Sequence, residues 1–180
     1  MSVLDRSSLA RQIFSVCNLK GSFRLRSGTV SSEYFDKYLF ESQPEILRAI
    51  AQNLRPLIPA GTEILAGLEM GGIPIATALS LETDLPVIFV RKEAKSYGTC
   101  KLAEGQDFNG RNVLVIEDVV TTGGAIVDGV RALREQGARI DTVLCVIDRE
   151  AGGPEKLKAM GLALTPLFKA AELRQAAGEK

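Results

Sequence analysis

Four apolar runs, "EILAGLE", "PVIFVRK", "NVLVIED" and "TVLCVIDR", constrain this chain more than any other feature. Each is almost continuous in aliphatic and β-branched residues. None shows the polar alternation of a strand with one wet face, so they read as parallel strands buried on both sides. Between them lie helical patterns, "IPIATALSL" and "AIVDGVRALREQG". Strand and helix in alternation predict an α/β protein with an open, mostly parallel twisted sheet flanked by helices. Ligands are then expected at the carboxy-terminal ends of the strands.

The flanking segments read differently. Leu9, Ile13 and Val16 share one face of a first helix over roughly residues 4–19. "GSFRLRSG" and "EYFDKYLF" read as short strands rich in aromatic residues. Pro44 opens a helix whose apolar stripe is Ile46, Leu47, Ile50 and Leu54. The expectation is a single domain over residues 1–180. Its core spans about 45–150, and a small hood is built from the chain ends, about 1–40 and 150–180. "EAKSYGTCKLAEGQDFNG", residues 93–110, has no clear periodicity and is long for a loop in a compact domain, which marks it as either a functional lid or a disordered segment. Around it Arg91, Lys92, Lys95 and Lys101 outweigh Glu93, giving a local basic patch.

That patch stands out because the chain as a whole is neutral. Lys plus Arg and Asp plus Glu number 22 each, so no global field recruits nucleic acid or a membrane surface. Cys17, Cys100 and Cys145 are scattered and match no metal spacing, and they fit reduced thiols. With no signal peptide and no apolar run of membrane-spanning length, a cytoplasmic location is expected. The absence of histidine removes the usual general base, the Ser-His-Asp triad and most catalytic zinc sites.

The chemistry concentrates in "NVLVIEDVVTTGGA". An apolar strand ends at Glu117 and Asp118. After Val119 and Val120 come Thr121, Thr122, Gly123 and Gly124, and a helix opens near Ala125. Glycines let backbone N–H groups approach an anion, the hydroxyls donate, and the helix start adds partial positive charge. The P-loop and dinucleotide fingerprints are both absent. Two carboxylates beside a phosphate cradle suit a ribose 5-phosphate, with hydroxyls donating to the acids and phosphate seated in the loop.

"VLVIEDVVTTGGA" closely resembles the phosphoribosyl-diphosphate (PRPP) signature of the type I phosphoribosyltransferases, and four further segments narrow the resemblance to orotate phosphoribosyltransferases. "FRLRSGTVSSEYFD" is similar to that family's amino-terminal substrate segment and "AGLEMGGIPIATALS" to its pyrophosphate loop. "VRKEAKSYGTCKLAEG" resembles its mobile catalytic loop, and "CVIDREAGG" its orotate-binding arginine segment. The resemblance implies the type I phosphoribosyltransferase fold and transfer of a phosphoribosyl group from PRPP to orotate in pyrimidine synthesis. It implies PRPP contacts from Arg91, Lys92, Lys95 and residues 117–125, and orotate contacts from Arg26, Tyr34, Phe35, Thr121 and Arg149. Lys95, Asp118 and Tyr97 take the catalytic positions. Mg²⁺ is expected to be held mainly by PRPP and not by a protein cage. The partner is a second copy of the chain, forming a homodimer whose mobile loop acts across subunits.

Three departures accompany the resemblance. Tyr97 stands where many relatives have histidine, and a phenol with pKa near 10 donates a hydrogen bond more readily than it accepts a proton at neutral pH. Met70-Gly71 stand where many relatives have an aromatic residue and a lysine, so one positive charge is missing from the expected diphosphate site. Arg26 replaces a common lysine and keeps its charge. Two other readings stay open: a phosphoribosyltransferase for a different base, and a non-catalytic PRPP-sensing regulator that binds nucleic acid.

Overall fold

The computed structural model describes residues 4–24, 28, 30–93 and 102–178. Helix α1 (Arg6–Cys17) starts where the Asp5 side chain accepts the Ser7 and Ser8 N–H groups, each at 3.0 Å. It ends where Asn18 turns extended. Both limits fall inside the 4–19 span suggested by its apolar face, because capping chemistry sets a helix end and periodicity does not. The strands β1 (Asn18–Arg24) and β2 (Val30–Phe35) form an antiparallel hairpin.

"EYFDKYLF", expected as one strand, divides. β2 stops at Phe35, the Asp36 carboxylate accepts the Tyr38 N–H, and a single helical turn α2 (Tyr38–Glu41) follows. That turn buries Phe40 and Glu41. Helix α3 (Pro44–Leu54) begins at its proline as expected and buries Ile46, Ile50 and Leu54.

The remaining elements alternate as the apolar runs imply. They are β3 (Ile64–Leu68), α4 (Gly72–Thr83), β4 (Val87–Val90), β5 (Ala103–Glu104), β6 (Val113–Val120), α5 (Gly124–Glu135), β7 (Thr142–Asp148), α6 (Gly153–Lys158), β8 (Ala163–Lys169) and α7 (Ala170–Ala176). The six-stranded sheet has the order β5-β4-β3-β6-β7-β8, parallel throughout except for the antiparallel β4–β5 pair.

Strand alternation sends each buried run to two cores. Leu65, Leu114, Ile116 and Leu144 face α1, α3 and α4, while Ala66, Val113, Val115 and Val143 face α5. Each fully buried Leu or Ile contributes roughly 1.5–3 kcal/mol.

Two segments depart from the sequence reading. Residues 102–110, expected within an unpatterned loop, include β5 and the buried Phe108. A two-residue strand is too short to leave a period. The carboxy-terminal segment expected in the hood also divides. β8 extends the main sheet beside β7, whereas α7 packs against α1. Its "ALTPLFK" carries a proline, which an edge strand tolerates and a sequence pattern demotes.

Candidate active site

The sheet order places a topological switch between β3 and β6, where the chain winds outward first to one side and then to the other. β6 outruns its neighbour there. Its pairing with β3 ends at Gly67–Ile116, and Glu117 to Val120 continue beside β7 alone. The gap is filled by the turn entering α4. A Cβ on Gly67 would stand 2.8 Å from the Gly72 carbonyl oxygen and 2.9 Å from the Ala76 Cβ, so only glycine lets α4 lie this close. A Cβ on Gly71 would overlap the Asp118 carboxylate.

Beyond β6, Gly123 adopts a left-handed conformation (φ 72°) and α5 starts at Gly124. Glu117 and residues 119–126 line a cavity of about 160 Å³ at this turn. The Thr121 and Thr122 side chains are exposed to it, and the first turn of a helix leaves N–H groups without intrahelical acceptors. The loop rests on α6. A Cβ on Gly153 would come within 2.9 Å of the Thr121 carbonyl, and the Lys156 ammonium lies 3.7 Å from where a Cβ on Gly124 would be. Gly124 and Ala125 also wall a second cavity of about 430 Å³ that Arg91 and Lys92 line. Arg91 is partly engaged within its own chain, its Nε 3.9 Å from Glu104 Oε1.

The base-side residues assemble separately. Tyr34, Phe35 and Arg149 line a cavity of about 280 Å³ together with Phe14, Leu173 and Arg174. Aromatic and aliphatic walls with guanidinium groups suit a flat ring bearing a carboxylate. Thr121 lines the phosphate-loop cavity and not this one. Arg26, Lys95 and Tyr97 lie outside the described residues.

Asp118 is the surprise of the site. Its side chain is fully buried, with the Lys37 ammonium on Oδ2 and the Val119 N–H donating to Oδ1. Glu41, 8% exposed, approaches it from α2, and among the described residues Glu41 Oε1 and, the Lys37 ion pair aside, Asp118 Oδ2 are both buried without a hydrogen-bond partner. Three carboxyls, Glu41, Glu117 and Asp118, therefore crowd one ammonium. Burial, and then the Asp118 charge, push Glu41 up to about 9 and Glu117 up to about 8. Packed carboxylates out of water cannot all ionise, so protons stay on the group. Burial pulls Lys37 down while the Asp118 contact pulls it up, and the contact wins.

Sequence reasoning did not flag Lys37 or Glu41. Their i, i+4 spacing in "DKYLFE" was the available signal, hidden once that stretch was taken for a strand. Among the described residues no group of three or more acid, cysteine or histidine side chains is placed to hold a metal ion, and no helix is long and apolar enough to cross a membrane.

A parallel sheet whose central strand ends in acids, followed by a phosphate-sized cradle at the switch point, defines a phosphoribosyltransferase, and residues 40–165 match the phosphoribosyl transferase domain family. The chain is 53% identical over 167 residues to the orotate phosphoribosyltransferase of a Nocardioides species, covering 93% of each chain. It is 46% identical to the Methanocella arvoryzae orotate phosphoribosyltransferase, over 85% of this chain and 87% of that one. The crystal structure of Mycobacterium tuberculosis orotate phosphoribosyltransferase in complex with Fe(III) dicitrate superposes with a TM-score of 0.86 at 31% identity, covering 94% of this chain and 99% of that one. The same enzyme solved with PRPP gives 0.82 at 28% identity, over 94% and 99%. The chain belongs to the orotate phosphoribosyltransferase family, the pentosyltransferases of pyrimidine biosynthesis.

Proposed function

We propose that the chain, acting as one domain over residues 1–180, joins orotate to PRPP through a division of labour between the two ends of its site. The observation that carries this reading is the shared cavity of Glu117 and the Thr121–Ala125 loop, with the buried Asp118 next to Glu117 along β6. Thr121, Thr122 and the N–H groups of Gly123, Gly124 and Ala125 hold the 5-phosphate, with Val119 and Val120 shaping the wall. Glu117 and Asp118 accept the ribose hydroxyls. Arg91, Lys92 and Lys95 clamp the diphosphate. Tyr34, Phe35 and Arg26 seat the orotate ring, while Arg149 reads its carboxylate and Thr121 touches it from the loop side.

In the transfer, the bond from the anomeric carbon to diphosphate breaks and a bond to a ring nitrogen of orotate forms as that nitrogen loses its proton. Positive charge develops on the ribose ring while negative charge gathers on the leaving group. The chain therefore has to neutralise the diphosphate and exclude water more than it has to supply a strong base. That demand suits a site without histidine. Tyr97 donates a hydrogen bond in this reading, and Lys95 meets the departing charge.

In this reading Mg²⁺ rides mainly on PRPP oxygens, because Glu117 and Asp118 are given to the ribose hydroxyls. When bound, Mg²⁺ supplies charge neutralisation at the diphosphate. The working form is a cytoplasmic homodimer in which the segment around Lys95 covers the partner's site.

The test is diphosphate release from PRPP and Mg²⁺ with a panel of orotate, uracil and purine bases. Orotate alone should support rapid release. Faster release with a neutral purine would overturn the role of Arg149, because such a base offers it no carboxylate.

A further inference from the structure

Lys37 has no part in the division of labour above, yet its ammonium sits on the acid that division depends on. Asp118 is 0% exposed, and Lys37 occupies its Oδ2. Ribose hydroxyls therefore reach that oxygen only as Lys37 gives it up. An ammonium released there, in a pocket already holding Glu41 and Glu117, needs a new counter-charge. The incoming substrate brings one, because PRPP carries a diphosphate on the carbon next to the ribose hydroxyls.

The turn before α4 explains why the cation comes from α2. A Cβ on Gly71 would overlap Asp118 Oδ2 and lie 2.8 Å from Glu41 Oε1. A side chain at position 71 would have to displace this carboxylate. Lys37, immediately ahead of α2, brings an ammonium to the same oxygen on a flexible four-carbon stem, with its side chain still 33% exposed. Position 71 is also where the family resemblance leads one to expect a lysine. A positive charge thus returns to the site from a different element.

We propose that Lys37 is a diphosphate-binding residue, held on Asp118 in the ligand-free protein and handed to the PRPP diphosphate when the ribose hydroxyls take Asp118. This rests on the reading of Asp118 as a ribose acid. Glu41 serves as a positioning residue that packs the ammonium and the carboxylate together from the same helical turn.

Calorimetry with three probes separates the parts: PRPP, inorganic diphosphate and ribose 5-phosphate, each at fixed Mg²⁺. Lys37→Met should weaken PRPP and diphosphate by about tenfold or more, as expected for one lost charge-assisted contact. Ribose 5-phosphate should bind as well as before or more tightly, since its competitor for Asp118 is gone. Lys37→Arg should recover part of the diphosphate affinity. Unchanged diphosphate binding, or an equal loss for all three probes, overturns the proposal.

Because Lys37→Met strands a buried charge, the comparison is repeated in the Asp118→Asn background, where that charge is absent. A roughly tenfold diphosphate difference between Asp118→Asn and the double variant is again expected. Equal affinities there overturn the role of Lys37. Separately, if Asp118→Asn alone leaves ribose 5-phosphate binding intact, the ribose reading fails and the handover fails with it. The two failures fall on different probes and so remain distinguishable.

Discussion

The two ends of the sheet treat carboxylates in opposite ways. At the amino-terminal ends of the strands, Glu63 accepts the Asn112 N–H at 2.8 Å and the Arg111 guanidinium at 2.7 Å, with Arg139 at 3.9 Å. Those bonds hold its carboxyl below the usual carboxylate range. A cavity of about 460 Å³ opens beside it, lined by Arg139, Asn112 and Thr142. At the carboxy-terminal ends, Glu41, Glu117 and Asp118 share one ammonium, and Glu41 and Glu117 are pushed up by burial and then by the neighbouring Asp118. One end has matched its charges with its own donors. The other has gathered more acceptors than the chain can satisfy, as a site for a hydroxyl-rich, charged ligand requires. Cavity size alone would point to the wrong end.

The contrast is broken most sharply at Asp118. Asp118→Asn should weaken PRPP binding by about 10- to 100-fold, since a hydrogen bond to a charged group contributes roughly 1.5–3 kcal/mol. Calorimetry on folded protein decides it, and wild-type affinity would falsify the ribose assignment. The same replacement at the other end touches no ligand.

A smaller effect is expected at Lys95. Lys95→Ala should cut kcat by at least roughly tenfold, about 1.4 kcal/mol of barrier, at an unchanged melting temperature. The loss also tests assembly. If each such segment serves the partner's site, a mixed dimer of Lys95→Ala and Asp118→Asn subunits holds one site with both defects and one with neither. Mixing under subunit exchange should then restore up to about half the activity per mixed dimer. No recovery despite demonstrated exchange would mean that each segment serves its own site.

How much of this was legible beforehand follows from the range of each interaction. Buried strands announce themselves because Val113 to Ile116, covered on both faces, are all apolar up to the point where the pairing with β3 ends. The phosphate loop is legible for a similar reason: its glycines, hydroxyls and helix start are consecutive, so the whole device sits in one stretch of chain. Lys37 and Glu41 were invisible because their partner, Asp118, lies some eighty residues away and only the tertiary fold brings α2 across the end of β6. β8 was misplaced because an edge strand needs neither a continuous apolar run nor freedom from proline. Local chemistry can be read along the chain. Charge crowding between elements cannot.

Acid and base should separate the two ends. Glu41 and Glu117 hold protons more tightly folded than unfolded. Their contribution therefore declines as pH rises from the ordinary carboxylate range near 4.5 towards about 8 for Glu117 and about 9 for Glu41. Melting temperature of the ligand-free protein should fall across that window. Glu41→Gln, which cannot ionise, should flatten the upper part of the slope by a few degrees. An identical slope in the variant would remove Glu41 from the crowded group.

The smallest effect belongs to the opposite end and completes the comparison. Glu63 is held below the usual carboxylate range, the Asn112 N–H being the main cause. Its contribution is therefore present above that range and is lost as pH falls through its folded pKa, the reverse of the strand-end acids. Its partners are accessible to water, so screening limits what the cluster is worth. Glu63→Gln should lower the melting temperature at neutral pH by about 2 °C or less, and the deficit should vanish in acid. Neither kcat nor the PRPP KM should move, because the cavity beside Glu63 and the phosphate-loop cavity share no lining residue among those described. A change in PRPP affinity on Glu63→Gln would mean that the two ends are coupled through β6, and the division between a satisfied end and a ligand-seeking end would have to be abandoned.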